Sequence, residues 1–326
     1  MLESLLGNLL SAPVLFFVLG AFARLVKSDL DIPQPIPRLL SLYLLISIGL
    51  KGGVELSEAA ANLDVFAGLG AGLLLSIAVP IWTFFLMKPR LGAVDAAGIA
   101  ATYGSISAVT FIIAASFLDA RGEPYGGHMV AAMALMESPA IVMGILLASR
   151  FGDRSVAAAP IRWGRLLHES AFNSAVLLLL GAMVIGLLIG KDGFADVSAF
   201  MYQPFKGVLC LFLLDMGLLA ARRIGDLKRA GLTTIGFALI APPVHAAIGI
   251  ALAYALNLSA GDALLLAMLA GSGSYIAVPA ALRLSLPKAN PSLYVPMALG
   301  LTFPFNVVIG IPLAWAVIEF LWNGAA

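Results

Sequence analysis

The sequence predicts an all-α integral membrane protein: ten transmembrane helices as a 5+5 inverted repeat with two crossed, broken helices. Three observations carry this. The chain of 326 residues is 61% hydrophobic and only 11% charged, with a mean hydropathy of +1.01; a soluble domain carries about 25% charged residues. Apolar segments near the length of a membrane span recur along the whole chain. Two polar motifs, Asp95-x8-Gly104-Ser105-Ile106-Ser107 and Asp262-x8-Gly271-Ser272-Gly273-Ser274, repeat 167 residues apart.

A span needs about 20 apolar residues. Ten are expected, at 12–26, 36–50, 65–87, 94–117, 127–149, 170–190, 204–221, 232–256, 261–283 and 292–322. The first two are short and flank the turn Ile32-Pro33-Gln34-Pro35-Ile36-Pro37. The last is long, and Pro304 and Pro312 are expected to kink it. Strands would show period-2 polarity, which is missing from these segments. Residues 1–155 are expected to form the first repeat, 156–169 a cytoplasmic linker and 170–326 the second repeat. Five spans is an odd number, so the second half must enter the membrane upside down. Ile48-Gly49-Leu50 is echoed by Met216-Gly217-Leu218, and Pro139 by Pro304.

Charge sets orientation. The loops on one side hold 15 of the 19 Lys and Arg residues, among them Arg38, Arg150, Arg222 and Arg223. Lys51, Arg121, Lys191 and Lys206 fall on the other side. Positive charge stays in the cytoplasm, so both termini are expected outside, in a multi-pass protein of the cell (inner) membrane. The net charge of +1 offers nucleic acid no basic patch. Cys210 is the single cysteine, which excludes an internal disulfide or a Cys-rich metal site; it reads as a buried, inert thiol. No basic region precedes the first apolar stretch, so no cleaved signal peptide is expected. No His-Glu-x-x-His, Gly-x-Ser-x-Gly or Walker pattern occurs. The chain is therefore not expected to be an enzyme, to hold an organic cofactor or to use ATP directly. A coupling ion remains as the energy source.

The Gly-Ser-x-Ser interruptions free backbone groups at mid-membrane depth, and those groups must meet protein, water or a ligand. A half-helix restarting near Ser107 or Ser274 presents a positive dipole end suited to a small anion. Gly104, Ser105, Ser107, Gly271, Ser272, Gly273, Ser274 and Tyr275 are thus candidate substrate-binding residues. The alternative is tight packing of small residues, or aromatic packing for Tyr275. Glu137, in Met136-Glu137-Ser138-Pro139, lies near the middle of the fifth span. A carboxylate there costs about 2.5–3.5 kcal/mol and points to a cation or proton site, or to a structural partner. Pro139 frees a carbonyl one turn earlier. Glu137, Ser138, Thr110, Thr302, Asn306 and Asp215 form the candidate cation set. Asp215 can instead snorkel towards Arg222 and Arg223. His245, alone on an apolar helix, reads as a packed, hydrogen-bonded histidine. Asp95 and Asp262 read as helix caps.

At these residues the chain resembles the sodium-dependent bicarbonate permeases first recognised in cyanobacteria. The resemblance runs over nearly the whole chain. It is clearest at Ile48-Gly49-Leu50-Lys51-Gly52-Gly53, Met136-Glu137-Ser138-Pro139-Ala140, Gly225-Asp226-Leu227, Ile240-Ala241-Pro242-Pro243-Val244-His245 and Pro287-Lys288-Ala289-Asn290-Pro291-Ser292. It implies a core domain of crossed broken helices, a gate domain, a homotrimer, inward transport of bicarbonate with Na⁺, and a PII-like partner on the cytoplasmic face. Three departures bear on that transfer. Glu137 stands where the cyanobacterial pattern has Asp. Ser272-Gly273-Ser274-Tyr275 stands where it has a Ser-Ser-Asp run, which puts the number of Na⁺ sites and the substrate in question. The long cytoplasmic insertion between halves shrinks to about Arg150–Glu169. The expected function is Na⁺-coupled symport of a small anion by alternating access. The competing functions are a Na⁺/H⁺ antiporter or organic-anion carrier of similar fold and, from another class, a channel or sensory membrane domain.

Overall fold

The computed structural model describes residues 10–58, 63–152, 164, 168, 173–227 and 231–323, with the backbone alone at 224–227. The expected linker 156–169 lies outside the described residues except for Gly164 and His168. Among the described residues there are helices and turns and no strand.

In chain order the helices are α1 (Ala12–Leu25), α2 (Pro35–Glu58), α3 (Leu63–Gly104), α4 (Ala108–Arg121), α5 (His128–Phe151), α6 (Ser174–Met201), α7 (Phe205–Leu227), α8 (Leu232–Ala255), α9 (Ala260–Ala270), α10 (Ala277–Ser285) and α11 (Pro291–Asn323). Local chemistry sets several of their starts. Asn173 caps α6, its Oδ1 accepting from the amides of Ala175 and Val176 at 3.0 Å. Ser259 caps α9, accepting from the Asp262 amide at 3.1 Å. Asn290 caps α11 by accepting from Ser292 N at 3.0 Å, and Pro291 follows in the first turn.

Among the described residues, six stretches are long and apolar enough to cross a membrane: Pro35–Glu58, Leu63–Arg121, His128–Phe151, Ser174–Met201, Leu232–Ala255 and Pro291–Asn323. The second is 59 residues long. At about 1.5 Å per residue that is roughly 88 Å, against about 30 Å of bilayer hydrocarbon. It divides at Gly92, whose φ of 79° and ψ of 169° lie outside the helix, and again at Ser105–Ser107. Helices α1 and α9 are apolar but shorter.

The helices differ from the expected spans in three places. Helix α2 runs on to Glu58 instead of ending near residue 50, because Lys51 is paired within the protein, 2.7 Å from Asp119 Oδ1. Helix α6 continues past a non-helical Gly190 (φ 59°) to Met201. Pro304 does not break α11. Two π-helical stretches, Met297–Thr302 and Asn306–Gly310, flank it while the backbone angles stay helical. The wider π-helical turns accommodate the amide that Pro304 lacks.

Packing groups α1, α2, α6 and α7 in a first unit and α3 to α5 with α8 to α11 in a second, and the two also meet where α7 lies on α11. Helix α1 lies on α7 and α2 on α6; α3 packs on α5, and α8 on α9 and α11. Backbones in the first unit touch. Gly20 abuts Leu214 O while Gly217 abuts Phe17 O, and Gly53 abuts Met183 O while Gly186 abuts Leu50 O. No Cβ fits at these positions, so they let helices approach more closely than apolar side chains would allow. The aspartates of the repeated motif tie the halves together. Asp262 Oδ1 accepts from Gly126 N at 2.7 Å, and Asp95 Oδ1 from Asn290 N at 2.9 Å. Each reaches the loop after the other half's interrupted helix and does not cap its own.

Candidate functional site

Helix α3 stops at Gly104 and α4 starts at Ala108, with Ser107 between them in extended conformation. The Ser107 hydroxyl caps the new helix by accepting from Thr110 N at 3.2 Å. Helix α9 stops at Ala270, and α10 starts at Ala277. There Ser274 Oγ accepts from Val278 N at 3.4 Å. The two interruptions meet. Ser107 N donates to Ser272 Oγ, and Ser274 N to Thr102 O, both at 2.9 Å. Each break thus supplies partners for groups the other has released.

A cavity of about 710 Å³ opens on one side of this meeting point. Ser107, Ser274 and Tyr275 line it, as do Ala108 and Ala277 at the starts of α4 and α10. Glu137 and Asp215 line it from α5 and α7, and Arg38 and Arg223 from the ends of α2 and α7. Glu137 is buried, and its Oε1 accepts from Asn173 Nδ2 at 2.8 Å. Asp215 is half-buried. Arg222 pairs with Asp31 at 2.7 Å, and Arg223 faces the cavity that Asp215 lines.

The structure therefore brings five of the candidate residues to one space: Ser107, Ser274, Tyr275, Glu137 and Asp215. The others sit elsewhere. A Cβ at Gly104 would overlap the ring of Pro80, and one at Gly271 would lie 2.7 Å from Pro242 O. Both glycines therefore serve close packing in the interrupted helices. Gly273 lies against Ala298 and Thr102. Ser272 Oγ donates to Leu269 O at 3.2 Å. Ser105 and Thr110 are buried beside the crossing, and neither hydroxyl has a hydrogen-bond partner. Ser138 is half-buried next to Glu137 and does not line the cavity. Thr302 accepts from Tyr103 OH and donates to Ala238 O, each at 2.8 Å, joining α3, α8 and α11. Asn306 Nδ2 donates to Gly271 O at 2.9 Å. His245 accepts from Trp82 Nε1 at 3.0 Å and packs at 5.5 Å from its ring. Among the described residues, no three His, Cys, Asp or Glu side chains cluster as a metal site.

Asn173 was not among the candidates. Its signal was present: an Asn directly before an apolar run is a helix start. That it also reaches Glu137 depends on α5 lying beside the start of α6.

Interrupted helices meeting beside a cavity, in a chain with several spanning-length apolar helices, mark a multi-pass membrane protein. The sequence model of the Na⁺-dependent bicarbonate transporter superfamily matches residues 12–319, and the chain belongs to that superfamily. No curated protein matches the chain.

Proposed function

We propose that the protein is a Na⁺-coupled symporter that carries bicarbonate by alternating access through the cavity at the two interruptions. The observation that carries this is the convergence of Ser107, Ser274 and Glu137 on one cavity. Helices α4 and α10 begin there, and a helix start favours an anion. Glu137 supplies the negative charge a Na⁺ ion needs, with hydroxyl and carbonyl oxygens as further hard ligands. Neither interruption contains Lys or Arg, so dipoles, hydroxyls and a co-bound Na⁺ hold the anion. Ser105 and Thr110 offer unsatisfied hydroxyls in reach of a rearranged crossing.

The ten-span inverted repeat belongs to this reading. The 167-residue offset supports it, and so does the exchange of partners between halves, α1 with α7 and α6 with α2. The residue ranges 1–155, 156–169 and 170–326 stand as its parts. The cation bias of the loops favours both termini outside an inner membrane, so the cavity with Arg38 and Arg223 opens to the cytoplasm. Assembly as a homotrimer and a PII-like regulator come from the family resemblance.

Uptake of radiolabelled bicarbonate into proteoliposomes tests the proposal. The expected result is accumulation that needs an inward Na⁺ gradient. Uptake that is equal without Na⁺ rejects symport. Proton efflux driven by Na⁺ entry without bicarbonate favours the antiporter reading, for which Glu137 and Asp215 on one cavity are the motivation.

A further inference from the structure

Further along α2 from the cavity, consecutive residues build a second polar cluster, none of whose members lines the cavity. Lys51 Nζ donates to Asp119 Oδ1 at 2.7 Å and to Tyr125 OH at 2.9 Å, and lies 3.6 Å from Glu55. Tyr202, between α6 and α7, donates to Asp119 Oδ2 at 2.8 Å. The ammonium also sits over the rings of Tyr125 and Tyr202, 4.6 and 5.4 Å from their centroids. Gly52 comes next. Its carbonyl abuts Gly127, and the space for its own Cβ is filled by Val130 at the start of α5. Gly53 faces the other way, against Met183 O of α6.

These contacts cross the boundary between the packing units. Lys51, Gly52 and Tyr202 belong to the unit of α1, α2, α6 and α7. Asp119, Tyr125, Gly127 and Val130 belong to the other. The same boundary is open at the cavity, where Ser41 of α2 lines one wall and Ala108 of α4 another. Lys51 is six residues beyond Leu45, which also lines the cavity, roughly 9 Å further along α2 at about 1.5 Å per residue. Asp119 lies at the far end of α4 from the cavity. One seam is thus shut at one end and open at the other.

We propose that the Lys51–Asp119–Tyr125–Tyr202 cluster, with Gly52 seated on Gly127, is the closed gate on the side opposite the cavity. Opening that side separates the two units here and breaks the cluster. The proposal rests on the alternating-access reading above. The chemistry suits a gate more than a permanent joint. The side chains of Lys51 and Asp119 keep 18% and 21% exposure, so water reaches them as the seam parts and replaces the hydrogen bonds they lose. An ion pair that hydrates on opening holds the closed state without locking it.

Two reporters test this in a Cys210→Ser background. Val130→Cys places a thiol at a position with 0% exposure beneath Gly52. Ala280→Cys places one on the exposed cavity wall. Each is labelled with a hydrophilic maleimide in detergent, where both faces are reachable. Lys51→Met should speed labelling of Val130→Cys by about tenfold and slow that of Ala280→Cys, as a shift between two states requires. Tyr202→Phe, which removes one hydrogen bond and is gentler on folding, should move both rates the same way by about twofold. Lys51→Arg keeps the cation and should stay near the parent. Unchanged rates in both Lys51→Met and Tyr202→Phe overturn the gate. So does a rise at both reporters, which is local unfolding. The readout uses no bicarbonate, so a chain that carried another solute would still show the reciprocal shift.

Discussion

The two interruptions share a Gly-Ser-x-Ser pattern and differ in what they leave unsatisfied. The first is three residues long, and Ser107 caps a 14-residue helix directly. The second runs from Gly271 to Ile276 before a nine-residue helix, whose start receives only the long 3.4 Å bond from Val278 N to Ser274 Oγ. Around the first, the Ser105 and Thr110 hydroxyls have no partner and Glu137 faces the cavity. Around the second, the Tyr275 hydroxyl likewise has no hydrogen-bond partner, while Ser272 pairs with Leu269, Thr302 with Tyr103 and Ala238, and Asn306 with Gly271. Glu137 and Thr302 occupy related places, each just before a proline of the fifth or tenth expected span. One carries charge into a cavity, while the other joins three helices. A repeat in sequence therefore need not be a repeat in role. The carboxylate beside the first interruption is open to the cavity, and the threonine beside the second is spent on packing.

The largest test of this contrast pairs Glu137→Gln with Thr302→Val. Glu137→Gln should cut Na⁺-driven bicarbonate uptake at least about a hundredfold, about 2.8 kcal/mol at 1.4 kcal/mol per decade, with the protein still monodisperse. Thr302→Val should leave uptake near the parent rate. It should lower stability by about 1–3 kcal/mol, since Tyr103 and Ala238 lose a buried partner, read as an earlier thermal midpoint in detergent. The reverse pattern breaks the comparison.

Bulk at the crossing comes next. Ser107→Leu and Ser274→Leu should each reduce uptake by about tenfold or more, because both side chains face the cavity. Equal uptake in the two variants and the parent would move the substrate away from the crossing. A smaller effect concerns coupling. If Na⁺ tightens bicarbonate binding by some factor, bicarbonate must tighten Na⁺ binding by the same factor. Calorimetry in Na⁺ and in K⁺ at equal ionic strength reads both. Equal bicarbonate affinity in the two buffers rejects a shared site. The smallest effect separates the caps. Ser107→Ala should destabilise by about 1 kcal/mol, as loss of an N-cap does. Ser274→Ala should cost only a few tenths, since its bond to Val278 N is long at 3.4 Å. Equal midpoints for the two would erase the difference between the breaks.

Much of the architecture was legible. The starts of α3, α5, α8 and α11 fall within about 3 residues of the expected spans, because hydropathy, Gly, Pro and capping residues act over one or two turns. Both interruptions were legible for the same reason. The end of α2 was not: a lysine in isolation reads as the end of a span, and here its partner is 68 residues away. The π-helical turns on either side of Pro304 were not legible either, since a proline shows where an amide is missing but not which helical winding accommodates it.

By itself the sequence determined the class of protein, most helix borders and the two places where helices stop and restart. These follow from local composition and from the cost of exposing backbone to lipid. The tertiary structure alone decided which polar groups remain open to the cavity. Asn173 meets Glu137 across 36 residues, Ser272 meets Ser107 across 165, and Tyr103 meets Thr302 across 199. Whether a buried hydroxyl or carboxylate is spent or still available depends on what packs beside it. In this chain those neighbours come from the other half.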